Sequence, residues 1–257
     1  MIKSFLKNSA YTLFDLVTFN KGVTRNINDF KIRFPARWSR YYESDYEKEN
    51  YTFLKQQVKP GMHIIDIGAH IGLFTTCASQ LTGSSGKVIC FEPTPGTFKV
   101  LSQTLQLNHC NNVTPVQAAV SDKVGSATFY VSTDYEGNNS NSLVEDNPNL
   151  KMTGYDVKVE SIDNVVKTYA ITPSIIKIDV EGAELDTLLG GLETFFSFKP
   201  ILILGLHPEA IQRKGDSLEA IWNVLIKAAY QVEKDGKIIT ETDFCSRKLL
   251  FDVNCFV

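Results

Sequence analysis

Two glycines and two acids follow the first two apolar segments of the chain at a spacing that suits a nucleoside ligand. The run DIGAHIG occupies residues 66–72, and Glu92 ends the second apolar segment, 24 positions after Gly68. Glycine lets a ligand approach the backbone closely, and a helix that starts there offers free N–H groups to a carboxylate. An acid at the end of the second strand can accept hydrogen bonds from both ribose hydroxyls. These residues predict a site for a cofactor that contains a nucleoside.

The spacing of the glycines separates two classes of cofactor. A dinucleotide fold favours G-x-G-x-x-G because a pyrophosphate must lie at the start of the helix, whereas three residues separate Gly68 from Gly72 here. S-adenosylmethionine has no phosphate. It needs room for its amino-acid tail and a carboxylate near its ammonium, which Asp66 can supply directly or through a water molecule. Glu92 suits either cofactor, so the glycine spacing is what favours S-adenosylmethionine over NAD.

The run IKIDVEGAE carries candidate catalytic acids. Asp179 and Glu181 follow a predicted strand, and because side chains alternate along an extended backbone the two can point to the same side. One carboxylate can accept the proton of a substrate hydroxyl. Alternatively, the pair can hold a divalent cation such as magnesium, which favours oxygen ligands and lowers the pKa of a hydroxyl. In a structural alternative, Glu181 caps the next helix and Asp179 orients the cofactor or the loop. We interpret Asp179 as functional and leave both roles open for Glu181.

His207 ends another apolar segment, directly before Pro208. A neutral imidazole is suited to act as a general base near physiological pH. In the structural alternative, His207 only begins the turn that Pro208 requires. We predict that His207 acts as a base or a metal ligand. It is expected to flank the acceptor hydroxyl together with Asp179, with Glu181 as a further candidate.

Strands and helices alternate in the part of the chain that carries these residues. Between Val58 and His207 we predict five short, almost continuously apolar strands, which is typical of parallel strands covered on both faces. The third is expected over residues 113–120, and a single helix is expected over 181–196, after the fourth. The helices between them give right-handed βαβ units. A helix capped by Asp216 or Ser217 and two closing strands follow. The prediction is a doubly wound α/β sheet of seven strands, mostly parallel, with the last strand inserted antiparallel.

Two segments depart from this alternation. Residues 1–50 are predicted to form a helical or irregular cap rich in aromatic residues. An amphipathic helix at its start packs on the domain or lies on a membrane or a partner. Residues 51–257 form the main domain, with an edge insertion around 122–160. The polar part of that insertion, near 135–150, is suited to a lid.

Composition and charge argue against several classes of protein. A net charge of -3 does not suit binding of nucleic acid by bulk electrostatics. Residues 1–42 nevertheless contain eight Lys or Arg and only two acids, which suits a solvated face, an anionic substrate or a membrane surface. No apolar run of about 18 residues occurs, so no transmembrane helix is expected. Five cysteines without a CxxC pair favour reduced thiols and a cytoplasmic protein.

Taken together, these segments resemble the FkbM family of methyltransferases. The resemblance covers roughly residues 58–210, and IKIDVEGAE is its most specific run. The matching segments, in the order of the family, are VKPGMHIIDIGAHIGLFTTCAS, GKVICFEPTPGTFKVLSQTLQLN, NNVTPVQAAVSDKVGSATFYV, VKVESIDNVV, SIIKIDVEGAELDTLLGG and KPILILGLHPE.

The resemblance implies a Rossmann-like class I methyltransferase fold that uses S-adenosylmethionine, usually to methylate a hydroxyl oxygen. The residues that it places at the cofactor are Asp66, Gly68, Ala69, His70, Gly72 and Glu92, with Ser121 and Asp122 near the adenine. Two positions depart from the family. His70 stands where Asn is usual, and Gly205 stands where an acid commonly precedes the strand-five His.

The resulting prediction is O-methylation of a hydroxyl on a sugar, a glycan or a small natural product. One alternative is a non-catalytic protein that binds S-adenosylmethionine on the same fold, which the missing acid at Gly205 makes conceivable. The other is an NAD-dependent oxidoreductase, against which the glycine spacing and the IKIDVEGAE run both argue.

Overall fold

The computed structural model describes residues 21–132 and 152–257. The amphipathic helix predicted at the start of the chain and the lid predicted near 135–150 lie outside these described residues.

The strands and helices of the described residues follow one another along the chain as predicted for most of its length. The strands are β1 (Val23–Ile27), β2 (Phe30–Phe34), β3 (His63–Ile67), β4 (Lys87–Phe91), β5 (Val113–Val116), β6 (Ala119–Val120), β7 (Gly125–Ser132), β8 (Met152–Glu160), β9 (Ile175–Ile178), β10 (Ile201–Leu206), β11 (Gln231–Lys234), β12 (Lys237–Ile238) and β13 (Phe251–Phe256). The helices are α1 (Lys48–Gln57), α2 (Leu73–Thr82), α3 (Pro95–Leu107), α4 (Ile162–Tyr169), α5 (Glu184–Leu189), α6 (Leu192–Phe198), α7 (Pro208–Lys214), α8 (Leu218–Lys227) and α9 (Glu241–Cys245).

The large sheet confirms the doubly wound α/β prediction. Its strand order is β12-β11-β13-β10-β9-β3-β4-β5. The five strands from β10 to β5 pair in parallel, and β13 lies antiparallel between β10 and β11, as predicted. An eighth strand, β12, extends the predicted seven. It forms because Asp235 (φ 52°) and Gly236 (φ 76°) adopt the left-handed conformations of a two-residue hairpin turn.

Apolar side chains cover both faces of this sheet. On β3, Ile64 packs in one core cluster and Ile65 in the other, and both are completely buried. Successive side chains on a strand point to opposite faces, which explains the continuous apolar runs of the parallel strands. The predicted N-cap of α8 is confirmed for Ser217, whose side chain accepts a hydrogen bond from the backbone N–H of Ala220.

Two predicted elements are each split in the structure. The third predicted strand, residues 113–120, divides into β5 of the large sheet and β6, which joins β8 and β7 in a separate sheet. The helix predicted over 181–196 divides into α5 and α6. The division falls at Gly190, where an added Cβ would lie 2.1 Å from the carbonyl oxygen of Ser121. This close approach of two backbones needs a glycine, so it fixes where α5 ends.

The described part of the N-terminal segment corrects the prediction of a helical or irregular cap. It contains a β hairpin, β1–β2, followed by the 3₁₀ helix Ala36–Trp38. The reason is visible in the run FKIRF, where apolar residues that are buried alternate with basic residues that are exposed, the period of a strand. The hairpin packs against α2 in one core cluster. Helix α1 crosses the predicted boundary at residue 50.

Two other predictions concern membrane-spanning helices and the cysteines. None of the helices in residues 21–132 and 152–257 is long and apolar enough to cross a membrane. All five cysteines fall in these ranges and are unpaired, which agrees with the prediction of free thiols.

Candidate active site

A cavity of about 410 Å³ opens where the carboxyl ends of the central parallel strands meet. Doubly wound sheets bind their ligands at this edge. Most of the predicted site residues line the cavity, and they are Gly68, Ala69, His70, Glu92, Asp179, Glu181 and His207. The predicted site residues that do not line it are Asp66, Gly72, Ser121 and Asp122.

The loop after β3 is held against two neighbouring strands. The backbone N–H groups of Gly68 and Ala69 both donate to the carbonyl oxygen of Phe91, at 3.1 and 2.8 Å. Gly68 has a φ of 82°, and a Cβ added to it would lie 1.8 Å from the carbonyl oxygen of Asp179. A glycine is therefore required here for two reasons, backbone conformation and close approach. The contact brings the loop of residues 68–72, which we call the cofactor loop after its predicted role, directly against the candidate catalytic acid Asp179.

The predicted site residues outside the cavity have other positions. Gly72 is the N-cap of α2, and a Cβ there would lie 2.5 Å from Cδ1 of Leu101, so this glycine serves the packing of α2 on α3. Ser121 and Asp122 follow β6. Residues 118–120, which directly precede Ser121, form the nearby part of the cavity wall.

Asp66 lies beneath the cofactor loop and is completely buried. Its Oδ2 accepts a hydrogen bond from the hydroxyl of Thr75, while its Oδ1 is buried with no partner among the described residues. Burial raises the pKa of Asp66, and the ammonium of Lys177 opposes that shift. Because buried polar atoms normally have a partner, Oδ1 is a group that a buried water molecule would satisfy.

Glu92 is 6% exposed and is fixed by backbone donors. Its Oε1 accepts from the N–H of Thr94 at 2.9 Å and its Oε2 from the N–H of His70 at 3.1 Å. Burial raises the pKa of Glu92 to about 7, although the hydrogen bonds from Thr94 and His70 favour the charged form. Each oxygen keeps a free lone pair, so the carboxylate can still accept two hydroxyls of a ribose.

His70 contacts the N-terminal segment. Its φ of 49° is left-handed, a conformation in which Asn and His are enriched among residues other than glycine. The hydroxyl of Tyr42 lies 2.9 Å from His70 Nδ1, and the ring of Trp38 meets the imidazole edge-on at 5.4 Å. Burial lowers the pKa of His70 to about 4, so the ring is neutral near pH 7. The His at this position, where the resemblance implies Asn, thus shares a hydrogen bond with Tyr42.

The Tyr42→Phe variant is expected to bind S-adenosylhomocysteine, the demethylated product of the predicted cofactor, about 3- to 10-fold more weakly. The reason is that a lost hydrogen bond costs about 0.5–1.5 kcal/mol. The hydroxyl holds the His70 ring, and the backbone of His70 in turn holds Glu92. Isothermal titration calorimetry measures this change. In the His70→Asn background the same replacement of Tyr42 should have a smaller effect. An equal effect in both backgrounds would contradict coupling through His70.

Asp179 lies between two cationic groups. Lys177 Nζ donates to its Oδ2 at 2.9 Å, and His207 Nε2 lies 3.7 Å from its Oδ1. Burial opposes ionisation of Asp179, but the charges of Lys177 and His207 outweigh it and hold the pKa of the carboxyl below its usual range. The acid is therefore a carboxylate at neutral pH, with Oδ1 on the side of the imidazole.

His207 is the N-cap residue of α7, and its Nδ1 lies 2.8 Å from Oε1 of Glu184. Burial lowers the pKa of His207, but the hydrogen bond to Glu184 and the nearby charges of Asp179 and Glu181 outweigh it and raise the pKa to about 9. At neutral pH the ring is therefore an imidazolium, which donates from Nε2 and cannot accept a proton there.

Glu181 lines the cavity beside these two groups. Its φ of 50° is left-handed, so the backbone is no longer extended at this position. The cap of α5 is Ala183, without a side-chain hydrogen bond, so the alternative in which Glu181 caps that helix is not supported. Burial raises the pKa of Glu181 to about 8, with the charge of His207 lowering it and that of Asp179 raising it.

The alternative of a divalent cation at these acids gains no support from the arrangement. Within the described ranges, no group of three or more His, Cys, Asp or Glu side chains is placed to hold a metal ion.

Lys177 and Glu184 are site residues that the sequence interpretation did not assign. Both belong to the run IKIDVEGAE, which supplied the available signal. Lys177 is two positions before Asp179, so on a strand their side chains share a face. Lys177 is only 5% exposed, so water does not solvate its ammonium. The charges of nearby acids stabilise that ammonium instead.

Glu47 and Asp252 also line the cavity, although no pattern in the sequence pointed to either residue. Asp252 on β13 is paired in register with Gly205 on β10. A Cβ on Gly205 would lie 3.0 Å from Oδ1 of Asp179 and 3.3 Å from Oδ1 of Asp252. The two carboxylates thus approach the space above Gly205 from both neighbouring strands. The acid that the resemblance leads one to expect at Gly205 is absent, and an acid from the adjacent strand, Asp252, lies next to its place.

Comparison with known proteins gives related methyltransferases. The chain is 27% identical over 183 residues to Methyltransferase sdnD of Sordaria araneosa, covering 60% of this chain and 70% of that protein. It is 25% identical over 170 residues to Hexuronic acid methyltransferase AglP of Haloferax volcanii, covering 65% and 66%. A crystal structure of Methyltransferase FkbM from Methylobacillus flagellatus has a TM-score of 0.49 and 18% identity, with 83% of this chain covered. This chain spans about half, 52%, of that one.

A family model gives the decisive match. The Methyltransferase FkbM domain matches residues 66–232, well over half of the chain. This range runs from the end of β3 to β11 and contains the cofactor loop, Glu92, Asp179 and His207. The chain therefore belongs to the FkbM family of S-adenosylmethionine-dependent methyltransferases.

Proposed function

We propose that this protein transfers the methyl group of S-adenosylmethionine to a hydroxyl oxygen of a sugar, a glycan or a small natural product. The observation that carries the proposal is the carboxylate–imidazolium pair of Asp179 and His207 in the wall of the cavity, next to the cofactor loop. The name of the relative AglP, a hexuronic acid methyltransferase, supports a sugar as acceptor.

The residues of the cavity fit this cofactor. Glu92 would accept the ribose hydroxyls, and Asp66, buried beneath the loop, would act on the ammonium of the amino-acid tail through a bridging water. Gly68 and Ala69 would form the backbone surface beside that tail, and His70 the end of the loop. Ser121 and Asp122 remain predicted contacts of the adenine. When bound, S-adenosylmethionine supplies an electrophilic methyl group.

Asp179 is the proposed base. Its carboxylate is ionised, because Lys177 and His207 hold its pKa low, and Oδ1 is the oxygen that lies toward His207. The acceptor hydroxyl would give its proton to Oδ1 as its oxygen becomes nucleophilic. His207, charged at neutral pH, would donate from Nε2 to the acceptor oxygen and orient it. Of the candidate bases offered by the sequence, we therefore favour Asp179 over His207, and Glu181 adds a further acid to the acceptor side.

The test uses methyl-labelled S-adenosylmethionine with extracts and with a panel of sugars and natural-product alcohols. We expect label in an O-methyl group, which NMR of the isolated product identifies. Label on nitrogen or carbon would overturn the proposed acceptor atom. Tight binding of the cofactor without transfer to any acceptor would favour the non-catalytic alternative.

A further inference from the structure

Glu184 lies behind His207, out of the cavity. It is the first residue of α5 and is 1% exposed. Its Oε1 lies 2.8 Å from Nδ1 of His207, and its Oε2 is buried without a partner in the described part of the chain. A carboxyl group so completely buried is costly unless it is paired, and His207 is the partner that the structure provides.

This contact fixes which way the imidazole faces. His207 is the N-cap of α7 and is followed by Pro208, so its backbone is constrained on both sides. A carboxylate only accepts hydrogen bonds, so Nδ1 must carry a proton when it meets Glu184. The opposite nitrogen, Nε2, then points toward Asp179 Oδ1, at 3.7 Å.

The groups that face His207 come from two elements. Asp179 and Glu181 follow β9, and Glu184 belongs to α5. Lys177 reaches this group through its hydrogen bond to Asp179. Of the three acids, Asp179 and Glu181 line the cavity, where a ligand can change their surroundings, whereas Glu184 does not. Glu184 is therefore the partner whose contact with His207 persists when an acceptor enters.

We propose that Glu184 is a positioning residue that accepts a hydrogen bond from Nδ1 of His207 and thereby directs Nε2 at the acceptor oxygen. The part that concerns the acceptor rests on the proposed O-methyl transfer. The part that concerns the imidazole does not, because the contact exists without any ligand. A purely structural role, in which Glu184 only joins α5 to α7, is the competing explanation.

The first experiment is NMR of ¹⁵N-histidine-labelled protein with S-adenosylhomocysteine, comparing the unaltered chain with Glu184→Gln and Asp186→Asn. In Glu184→Gln, one negative charge beside the imidazole is lost, so we expect the midpoint of His207 titration to fall by about one pKa unit or more. Asp186→Asn is the matched control, because Asp186 is on the same helix and pairs with Lys214 instead. It should leave the titration of His207 unchanged.

The second experiment is kinetic and uses the acceptor found by methyl labelling. We expect Glu184→Gln to lower kcat by about 10- to 100-fold, the cost of a misplaced group, with KM for S-adenosylmethionine nearly unchanged. Glu184→Asp keeps the charge but withdraws it from Nδ1, so kcat should fall there also, and it serves if Glu184→Gln does not fold. Binding of S-adenosylhomocysteine reports whether each variant is folded.

Two outcomes would overturn the proposal. One is a His207 titration in Glu184→Gln equal to that of the unaltered protein, and the other is the same loss of kcat in Asp186→Asn. If no O-methyl product is formed by any variant, the proposed function fails. The NMR result then still decides whether Glu184 controls the imidazole.

Discussion

Replacement of Asp179 by Asn is expected to lower kcat by about 100- to 10,000-fold, the range that general acid–base catalysis contributes. The dissociation constant of S-adenosylhomocysteine should change by less than about threefold, a difference below 0.7 kcal/mol. Asn has nearly the shape of Asp, but its amide cannot take up the proton of the acceptor hydroxyl. Comparison of steady-state kinetics with calorimetric titration separates the two effects.

The variant also removes the counter-charge of a buried ammonium. Lys177 donates to Oδ2 of Asp179, and its other acidic neighbours are farther away than this hydrogen bond. Loss of one partner of a buried ion pair costs about 3–5 kcal/mol of stability, so thermal denaturation must accompany the kinetics. The matched control is Asp235→Asn in the hairpin turn outside the cavity, where Asn tolerates the left-handed backbone. Unchanged kcat in folded Asp179→Asn would reject Asp179 as the base.

Replacement of Glu92 by Gln is expected to weaken the binding of S-adenosylhomocysteine by about 10- to 100-fold at pH 8, because hydrogen bonds to a charged group contribute about 1.5–3 kcal/mol. The change also disturbs the loop. The carboxylate accepts from two backbone N–H groups, those of Thr94 and His70. Gln has one acceptor oxygen, so its NH₂ group must face one of these donors. Calorimetry at fixed ionic strength measures the loss.

The pH dependence of this binding gives a second readout. The pKa of Glu92 is about 7 in the free protein, raised by burial, so the carboxyl is charged above pH 7 and neutral below it. The charged form accepts hydrogen bonds from two ribose hydroxyls more strongly than the protonated form, in which one oxygen has become a donor. Affinity in the unaltered protein should therefore rise from pH 6 to pH 8, and it should be nearly flat in Glu92→Gln. A Glu233→Gln control on β11 should keep the rise. The same slope in both variants would show that Glu92 does not bind the ribose.

The sequence predicted the central sheet and the cofactor side of the cavity because both depend on local signals. Apolar runs and their spacing locate the parallel strands, and the positions after β3, β4, β9 and β10 then meet at one edge by the geometry of the fold. Gly68 and Glu92 follow directly from this rule. Even the run IKIDVEGAE contained more than was assigned, since Lys177 and Glu184 belong to it.

Other features depend on contacts between distant segments, which a single sequence does not reveal. The helix after Glu181 divides because Gly190 meets the carbonyl group of Ser121. Asn50 donates to Asp252 across 202 positions of the chain, and Tyr42 reaches His70 from a segment that precedes the family match. The pKa of His207 could not be predicted for the same reason, because it depends on neighbours that only the fold brings together.

The register pair of Gly205 and Asp252 has a consequence for how related chains are compared. Antiparallel partners on one face of a sheet extend their side chains into the same volume, and here one partner has no side chain while the other brings an acid. A comparison that treats each strand separately finds no acid at Gly205. It does not consider Asp252, which lies outside the matched range 66–232. Relatives with a small residue at the position of Gly205 should therefore be inspected for an acid on the adjacent antiparallel strand before they are classed as inactive.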